Sequence, residues 1–256
     1  MTGRYVALGS SMASGPGIRP RASGAPLLAG RSARNYPHLV ADELGLDLVD
    51  VTYSGATTAN ILCDKQNGVP PQIDALDGSE TLVTVTIGGN DVGYVPLLTL
   101  ACFPWPARWM PVLGCRIRDL RDRGARDRAL GAVATSLMQV GAAIRRRAPR
   151  ARVLFVDYLT LLPPAGRTAP PLSHGDADLG RHIANALEKH TAVAADESGC
   201  ELVKASEASR AHHAWSADPW TTRFAVPLPG RPAPLHPNGA GMRAVAELVS
   251  ARVCGG

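Results

Sequence analysis

The fold of this chain is indicated first by residues 4–15, which read RYVALGSSMASG. The apolar run from Tyr5 to Leu8 is typical of a short buried strand. It leads directly into a turn rich in glycine and serine, where Ser11 stands at the opening of a helix. A serine at this point presents its hydroxyl at the carboxyl edge of a sheet, beside the amides of a helix N-terminus. The stretch therefore predicts a first strand, at 4–8, and a candidate nucleophile, Ser11.

The rest of the chain alternates short apolar runs with helical patterns. Further strands are predicted at 46–52, 82–87, 152–156 and 201–203, and helices at 35–44, 130–147, 175–197 and 238–253. Strands that alternate with helices imply right-handed crossovers and a mainly parallel sheet with helices on both faces. We expect an α/β fold with a five-stranded sheet, forming one domain over residues 1–256. Irregular loop insertions are expected near 101–125 and 205–233.

The composition is that of an ordinary globular protein. Of the 256 residues, 45% are hydrophobic and 19% are charged, which excludes disordered and fibrous classes. No apolar run reaches the roughly 18 residues that a membrane-spanning helix needs, so no integral membrane segment is expected. No signal-peptide pattern precedes the first strand. A cytoplasmic location is therefore expected, with a mature secreted form as the alternative.

The net charge of +5 comes from basic residues that are nearly all arginine, as the codon usage of a GC-rich genome would produce. Aspartates also interrupt the basic stretch 116–128, so nucleic-acid binding is not expected. The five cysteines form no CxxC pair, which argues against a metal site. Cys102 and Cys115 flank one proline-rich loop and are candidates for a disulfide. The alternative is that the cysteines are small buried hydrophobic residues.

Three further motifs are predicted to lie near the same edge of the sheet as Ser11. Gly55 follows the second strand and could bring its backbone N–H close to a substrate. Asn90, in the block 87–91 after the third strand, can donate from its side-chain amide into the same space. His236 directly precedes the last helix and is a candidate general base. Each motif alone is typical of a turn or a surface histidine. Their coincidence at one edge favours a catalytic site.

In this order along the chain, the motifs resemble those of the SGNH (GDSL-type) hydrolase family. The resemblance runs through Gly9-Ser10-Ser11, Gly55, the block Gly88-Gly89-Asn90-Asp91 and His236-Pro237-Asn238, and so covers nearly the whole chain. The segment Asp218-Pro219-Trp220 is similar to one in the actinobacterial branch, which includes esterases and phospholipases.

The resemblance implies a flavodoxin-like three-layer α/β/α sandwich. It also implies Ser11 as nucleophile and His236 as base. The oxyanion hole would be formed by the Ser11 N–H, the Gly55 N–H and the Asn90 side chain. No metal or cofactor is implied.

Two positions depart from the family pattern. Position 10 is serine where the family usually has aspartate, which affects support of the turn more than the chemistry. Position 233 is alanine, three residues before the histidine, where the family usually has a catalytic aspartate. An alanine side chain cannot orient an imidazole. We expect the Ala233 backbone carbonyl to accept from His236 instead, with Asp218 as the alternative. A Ser–His dyad or a non-standard triad would result.

The expected function is hydrolysis of carboxylic esters through an acyl-enzyme. The apolar stretch 101–112 follows the Asn90 block and could wall an acyl pocket or form a lid, which favours small-molecule or lipid-like acyl esters as substrates. Two alternatives stay open. One is an esterase for acetyl groups or carbohydrate esters, and the other is a catalytically weak binding protein on the same scaffold.

Overall fold

The computed structural model describes residues 3–104, 111–226 and 230–255. Its sheet consists of β1 Arg4–Gly9, β2 Asp47–Asp50, β3 Glu80–Thr86, β4 Arg152–Val156 and β5 Glu201–Val203. All four neighbouring pairs are parallel, and the strand order is β2-β1-β3-β4-β5. The predicted five-stranded parallel sheet is confirmed. β2 is an edge strand, and β1 and β3 are the next two strands inward from it.

Helices cover both faces of this sheet. They are α1 Ser11–Ser14, α2 Tyr36–Leu44, α3 Thr58–Leu62, α4 Tyr94–Ala101, α5 Pro111–Arg121, α6 Arg123–Arg147, α7 His174–Glu197, α8 Ala205–Ala208 and α9 Gly239–Cys254. Alternate strand residues point to opposite faces. Tyr5 and Ala7 pack in a cluster with residues of α2 and α9, whereas Val6 and Leu8 pack with residues of α6 and α7. The three-layer sandwich is therefore confirmed.

The stretch 101–125 differs from the irregular insertion that the sequence predicts. It contains α5, and α6 begins at Arg123 rather than at residue 130 because the Asp122 side chain caps the Ala125 N–H at 3.0 Å. One face of α5 is buried through Ile117 and Leu120, so this helix packs against the rest of the protein. Residues 105–110, which belong to this stretch, lie outside the described residues. In the second stretch, the described residues 205–226 and 230–233 are irregular apart from α8 and one 3-10 turn.

Two other expectations are tested by the described residues. Cys115 is exposed and has a free thiol, so the structure does not contain the Cys102–Cys115 disulfide. The Cys115 sulfur instead lies 3.1 Å from Arg118 Nη2. Among the described residues, no helix combines the length and the apolar character needed to cross a bilayer.

Candidate active site

Ser11 and His236 come into direct contact although 225 positions separate them. The Ser11 Oγ lies 2.8 Å from His236 Nε2. Ser11 is the first residue of α1, directly beyond the carboxyl end of β1, and is buried. His236 lies three residues before α9, whose N-cap is Asn238. The chain therefore places a hydroxyl and an imidazole within hydrogen-bond distance at the carboxyl edge of the sheet, as nucleophile–base pairs require.

The second ring nitrogen of His236 corrects a prediction. His236 Nδ1 lies 2.7 Å from the carbonyl oxygen of Pro234, two residues back, and not from Ala233 or Asp218. Leu235, between them, has a φ of 58° and is fully buried. This left-handed turn points the Pro234 carbonyl at the ring. A carbonyl can only accept, so Nδ1 carries the proton and Nε2 accepts from the Ser11 hydroxyl.

Both of the predicted acceptors are engaged elsewhere. The Ala233 carbonyl accepts from Thr222 Oγ1 at 2.7 Å. The Asp218 carboxylate is 3.3 Å from His212 Nδ1, and its side chain is 76% exposed. Thr222 also donates its backbone N–H to the His236 carbonyl at 2.9 Å. Thr222 therefore fixes the loop that carries His236. No motif in the sequence indicated this role.

Burial and backbone contact set the charge of the His236 ring. Burial lowers the pKa of His236, and the hydrogen bond to the Pro234 carbonyl opposes that shift without overcoming it. The ring is therefore neutral near neutral pH, which is the form that can accept a proton.

The three predicted oxyanion donors line one cavity with this pair. Neither the Ser11 N–H nor the Gly55 N–H has a hydrogen-bond acceptor among the described residues. Gly55 has a φ of 81°, a conformation that favours glycine. The Asn90 side chain donates one of its two N–H groups to the Ala56 carbonyl at 2.8 Å, which leaves the other for a ligand.

Hydrogen bonds between two loops fix the position of Asn90 relative to Gly55. Asp91 accepts from the Thr58 hydroxyl at 2.6 Å and from the Thr58 N–H at 3.1 Å. Burial raises the pKa of Asp91, and the bonds from Thr58 partly offset that shift. Together with the bond from Asn90 to Ala56, these contacts join the turn after β3 to the loop after β2. The sequence pattern contained Asp91 but did not assign it this bridging position.

Tyr158 supports the two glycine-rich turns from below. Its hydroxyl accepts from the Gly89 N–H at 2.8 Å and lies 3.4 Å from Ser10 Oγ. Burial raises the pKa of Tyr158 to about 12, so the phenol stays neutral. Ser10, the serine in the family's aspartate position, is thus turned into the interior, while its neighbour Ser11 faces the cavity.

The cavity has a volume of about 520 Å³ and is lined largely by apolar side chains. The lining includes Ser11, Gly55, Asn90 and His236. Helices α4 and α5 contribute Val95, Pro96, Thr99, Leu100, Val112, Leu113 and Arg116 to it. Among the described residues of this lining, Arg116 is the only ionisable side chain besides His236. The arrangement can hold an ester with an apolar acyl group next to a hydroxyl, a base and hydrogen-bond donors.

The chain matches known proteins along nearly its whole length. The model of the GDSL-like lipase/acylhydrolase family matches residues 7–244. Lipase 2 of Streptomyces coelicolor is 36% identical over 253 residues, which cover 95% of this chain and 83% of that protein.

Two solved structures have the same fold over almost every residue. Phospholipase A1 from Streptomyces albidoflavus NA297 has a TM-score of 0.78 and 26% identity, and the match covers 99% of each chain. The extracellular lipase from Streptomyces rimosus has a TM-score of 0.76 and 27% identity, covering 98% of this chain and 99% of that one.

Proposed function

The chain belongs to the GDSL-like lipase/acylhydrolase family, and from that premise we propose that it hydrolyses acyl or lipid-like esters at Ser11. As a member of this family's actinobacterial branch it is an esterase or lipase. What we propose beyond that is the nucleophile, the base, the oxyanion donors and the substrate class. The contact between Ser11 Oγ and His236 Nε2, at 2.8 Å, carries the proposal.

The first chemical step follows from the protonation of the pair. The neutral ring of His236 takes the Ser11 proton on Nε2 while Ser11 Oγ attacks the ester carbonyl carbon. The imidazolium that forms keeps its Nδ1–H on the Pro234 carbonyl, which holds the ring in place. His236 then gives its proton to the leaving alcohol, and an acyl-enzyme remains on Ser11. Water, deprotonated by the same ring, hydrolyses this intermediate.

Charge develops on the carbonyl oxygen during each of these steps. The N–H groups of Ser11 and Gly55 and the free N–H of Asn90 are the donors that would receive it. Donors of this kind are held in place before the reaction starts, so they stabilise the transition state without reorganising. No other acceptor in the described residues competes for the two backbone groups.

The size and the lining of the cavity favour acyl chains longer than an acetyl group as substrates. Its walls on α4 and α5 are mainly apolar, and about 520 Å³ is more space than an acetyl group fills. The relatives named lipase and phospholipase A1 point in the same direction. An esterase for acetylated sugars would need polar groups for the hydroxyls of the sugar, and the lining offers few.

One activity profile tests both the site and the substrate class. We expect wild-type protein to hydrolyse soluble p-nitrophenyl esters with kcat/KM rising from the acetyl ester to longer acyl chains. Ser11→Ala should lose at least about a thousandfold in kcat, since it lacks the attacking oxygen. The matched control is Ser10→Ala, which removes the neighbouring hydroxyl and should keep most of the activity.

Either of two results would contradict the proposal. Turnover by Ser11→Ala equal to that of Ser10→Ala would exclude Ser11 as nucleophile. A strong preference for the acetyl ester would remove the lipid-like substrate class and favour the acetyl or carbohydrate esterase. A folded wild-type protein without activity on any of these esters would favour the binding protein.

A further inference from the structure

Large apolar side chains are exposed beside the catalytic cavity. Leu27 is 76% exposed, Leu28 is 64% and Val112 is 83%. Single exposed apolar side chains are ordinary on a protein surface, whereas a group of them marks a contact site. Val112 lines the cavity itself, and the two leucines belong to a turn that is hydrogen-bonded to Ser54, another residue of the lining.

The two leucines lie on a short turn that is hydrogen-bonded to a residue of the cavity lining. Leu27–Ala29 form a 3-10 turn whose last carbonyl, that of Ala29, accepts from the Ser54 N–H at 3.0 Å and from Ser54 Oγ at 2.9 Å. Ser54 lines the cavity. Ala29 is fully buried, so the turn is anchored from beneath while both leucines project into solvent.

The second segment is α5, which presents an apolar and a basic residue one turn apart. Val112 and Arg116 both line the cavity, and their i,i+4 spacing puts them on one face of the helix. Arg121, further along α5, binds the buried carboxylate of Asp176 at 2.7 Å through each of two nitrogens, which fixes the helix to α7. Arg116 has no ion pair and no hydrogen bond with any described residue.

We propose that Leu27, Leu28, Val112 and Arg116, called the rim below, dock the protein on the surface of an anionic lipid aggregate. The apolar side chains would enter the boundary between headgroups and acyl chains, and Arg116 would contact a phosphate. Side chains of this mixture are the ones that hold peripheral proteins at a membrane surface.

The position and the charge of the rim favour an anionic lipid surface as its partner. Two rim residues, Val112 and Arg116, line the apolar cavity that holds the Ser11–His236 pair, and the two leucines lie on the turn bonded to Ser54 of the same lining. A lipid surface seated there supplies esters directly to the cavity, whereas a protein partner would cover the opening. Arg116, which has no ion pair with any described residue, and the net charge of +5 are complementary to anionic headgroups. The proposal rests on the proposed function only in taking lipid esters as substrates.

Docking is measured separately from catalysis by using Ser11→Ala as the background in every binding experiment. The probes are vesicles of phosphatidylcholine alone and vesicles of phosphatidylcholine and phosphatidylglycerol in equal parts. Leu27→Ser combined with Leu28→Ser should weaken binding to the mixed vesicles at least tenfold, because two apolar contacts are lost. The matched control is Val193→Ser, since Val193 is 52% exposed on α7 and does not line the cavity.

The charge is tested by Arg116→Gln in the same background. It should reduce the preference for phosphatidylglycerol about fivefold, as expected for one arginine at an anionic surface. The exposed Arg118, two residues along α5 and absent from the cavity lining, provides the control Arg118→Gln.

A soluble short-chain ester shows whether the leucine variant is intact. With Ser11 restored, Leu27→Ser/Leu28→Ser should hydrolyse this ester at the wild-type rate. Equal vesicle binding by the leucine variant and by Val193→Ser would overturn the docking surface, as would an absence of vesicle binding by the parent protein. Equal losses in vesicle binding and soluble turnover would overturn it too, because the leucines would then be structural. A failure of Ser11 as nucleophile would leave the binding results intact.

Discussion

Among single residues, Pro234 makes the contact that could not be predicted from the sequence. Every residue has a backbone carbonyl, so the sequence cannot tell which one reaches the His236 ring. The choice depends on the positive φ of Leu235, which is uncommon for a leucine. We expected the Ala233 carbonyl or Asp218 at this ring nitrogen; the structure has the Pro234 carbonyl there, while the Ala233 carbonyl accepts from Thr222.

The absence of a carboxylate at this contact predicts the pH dependence of the reaction. A carboxylate would favour the charged imidazolium more strongly than a neutral carbonyl does. With Pro234 as the acceptor, burial dominates and lowers the pKa of His236. Because the neutral ring is the active form, kcat/KM should fall as the pH drops through a pKa below about 6.5. A pH profile on a soluble ester measures this. A midpoint above about pH 7 would contradict it.

Asn90 provides a second test at the residue scale. Asn90→Ala removes one oxyanion donor and should lower kcat about a hundredfold to a thousandfold, with a small change in KM. Steady-state kinetics measure the change, and thermal unfolding shows whether the bond to Ala56 mattered for the fold. Asn185→Ala, at an exposed position on α7, is the matched control and should stay close to the wild-type rate. An unchanged kcat in Asn90→Ala would exclude this residue from the oxyanion hole.

Among the elements, the long helices and the strands were predicted best. They have a repeating apolar face or a continuous apolar run, and those patterns are local. Of the shortest helices, α1 was expected only as a helix that opens at Ser11, and α3, which has five residues, was missed. Such segments are stabilised by tertiary contacts and caps more than by their own sequence. For α3 a signal was present, since Thr57 and Asn60 form a capping box.

Two glycines of α6 distinguish the effect of helix propensity on stability from the effect of packing. A Cβ on Gly131 would meet no heavy atom within 4 Å, whereas one on Gly141 would lie 2.7 Å from Ser198 Cβ. Gly131→Ala should therefore raise the free energy of unfolding by about 0.5–1 kcal/mol. Gly141→Ala should lower it by about 1–3 kcal/mol, because α6 must move from the end of α7. Denaturant unfolding measures both. The same sign for both variants would show that α6 is not packed as described.

At the scale of the whole molecule, the parallel sheet makes a site from distant segments. β1, β2 and β3 are neighbours, and their carboxyl ends lead into Ser11, Gly55 and Asn90 respectively. This convergence could be predicted because parallel strands all end at one edge. The position of His236 could not be derived in the same way. It depends on the loop contacts with Thr222, which join two irregular segments and leave no periodic pattern.

The acyl side of the cavity was predicted only in outline. Its apolar character follows from the composition of the stretch after Asn90, but the helix α5 that supplies Val112 and Arg116 was expected to be an irregular loop. A helix gives these residues a fixed spacing, and this spacing is what the docking surface depends on.

The most direct test of the central claim is covalent labelling with a fluorophosphonate. Its phosphorus mimics the attacked carbonyl, so an activated serine displaces fluoride and keeps the phosphonyl group. We expect one adduct per chain, on Ser11, found by intact mass and by fragmentation of the peptide that holds both serines. Ser10→Ala should label at the wild-type rate, and Ser11→Ala should not label. An adduct that persists in Ser11→Ala, or a wild-type chain that takes no label, would contradict a catalytic Ser11–His236 pair.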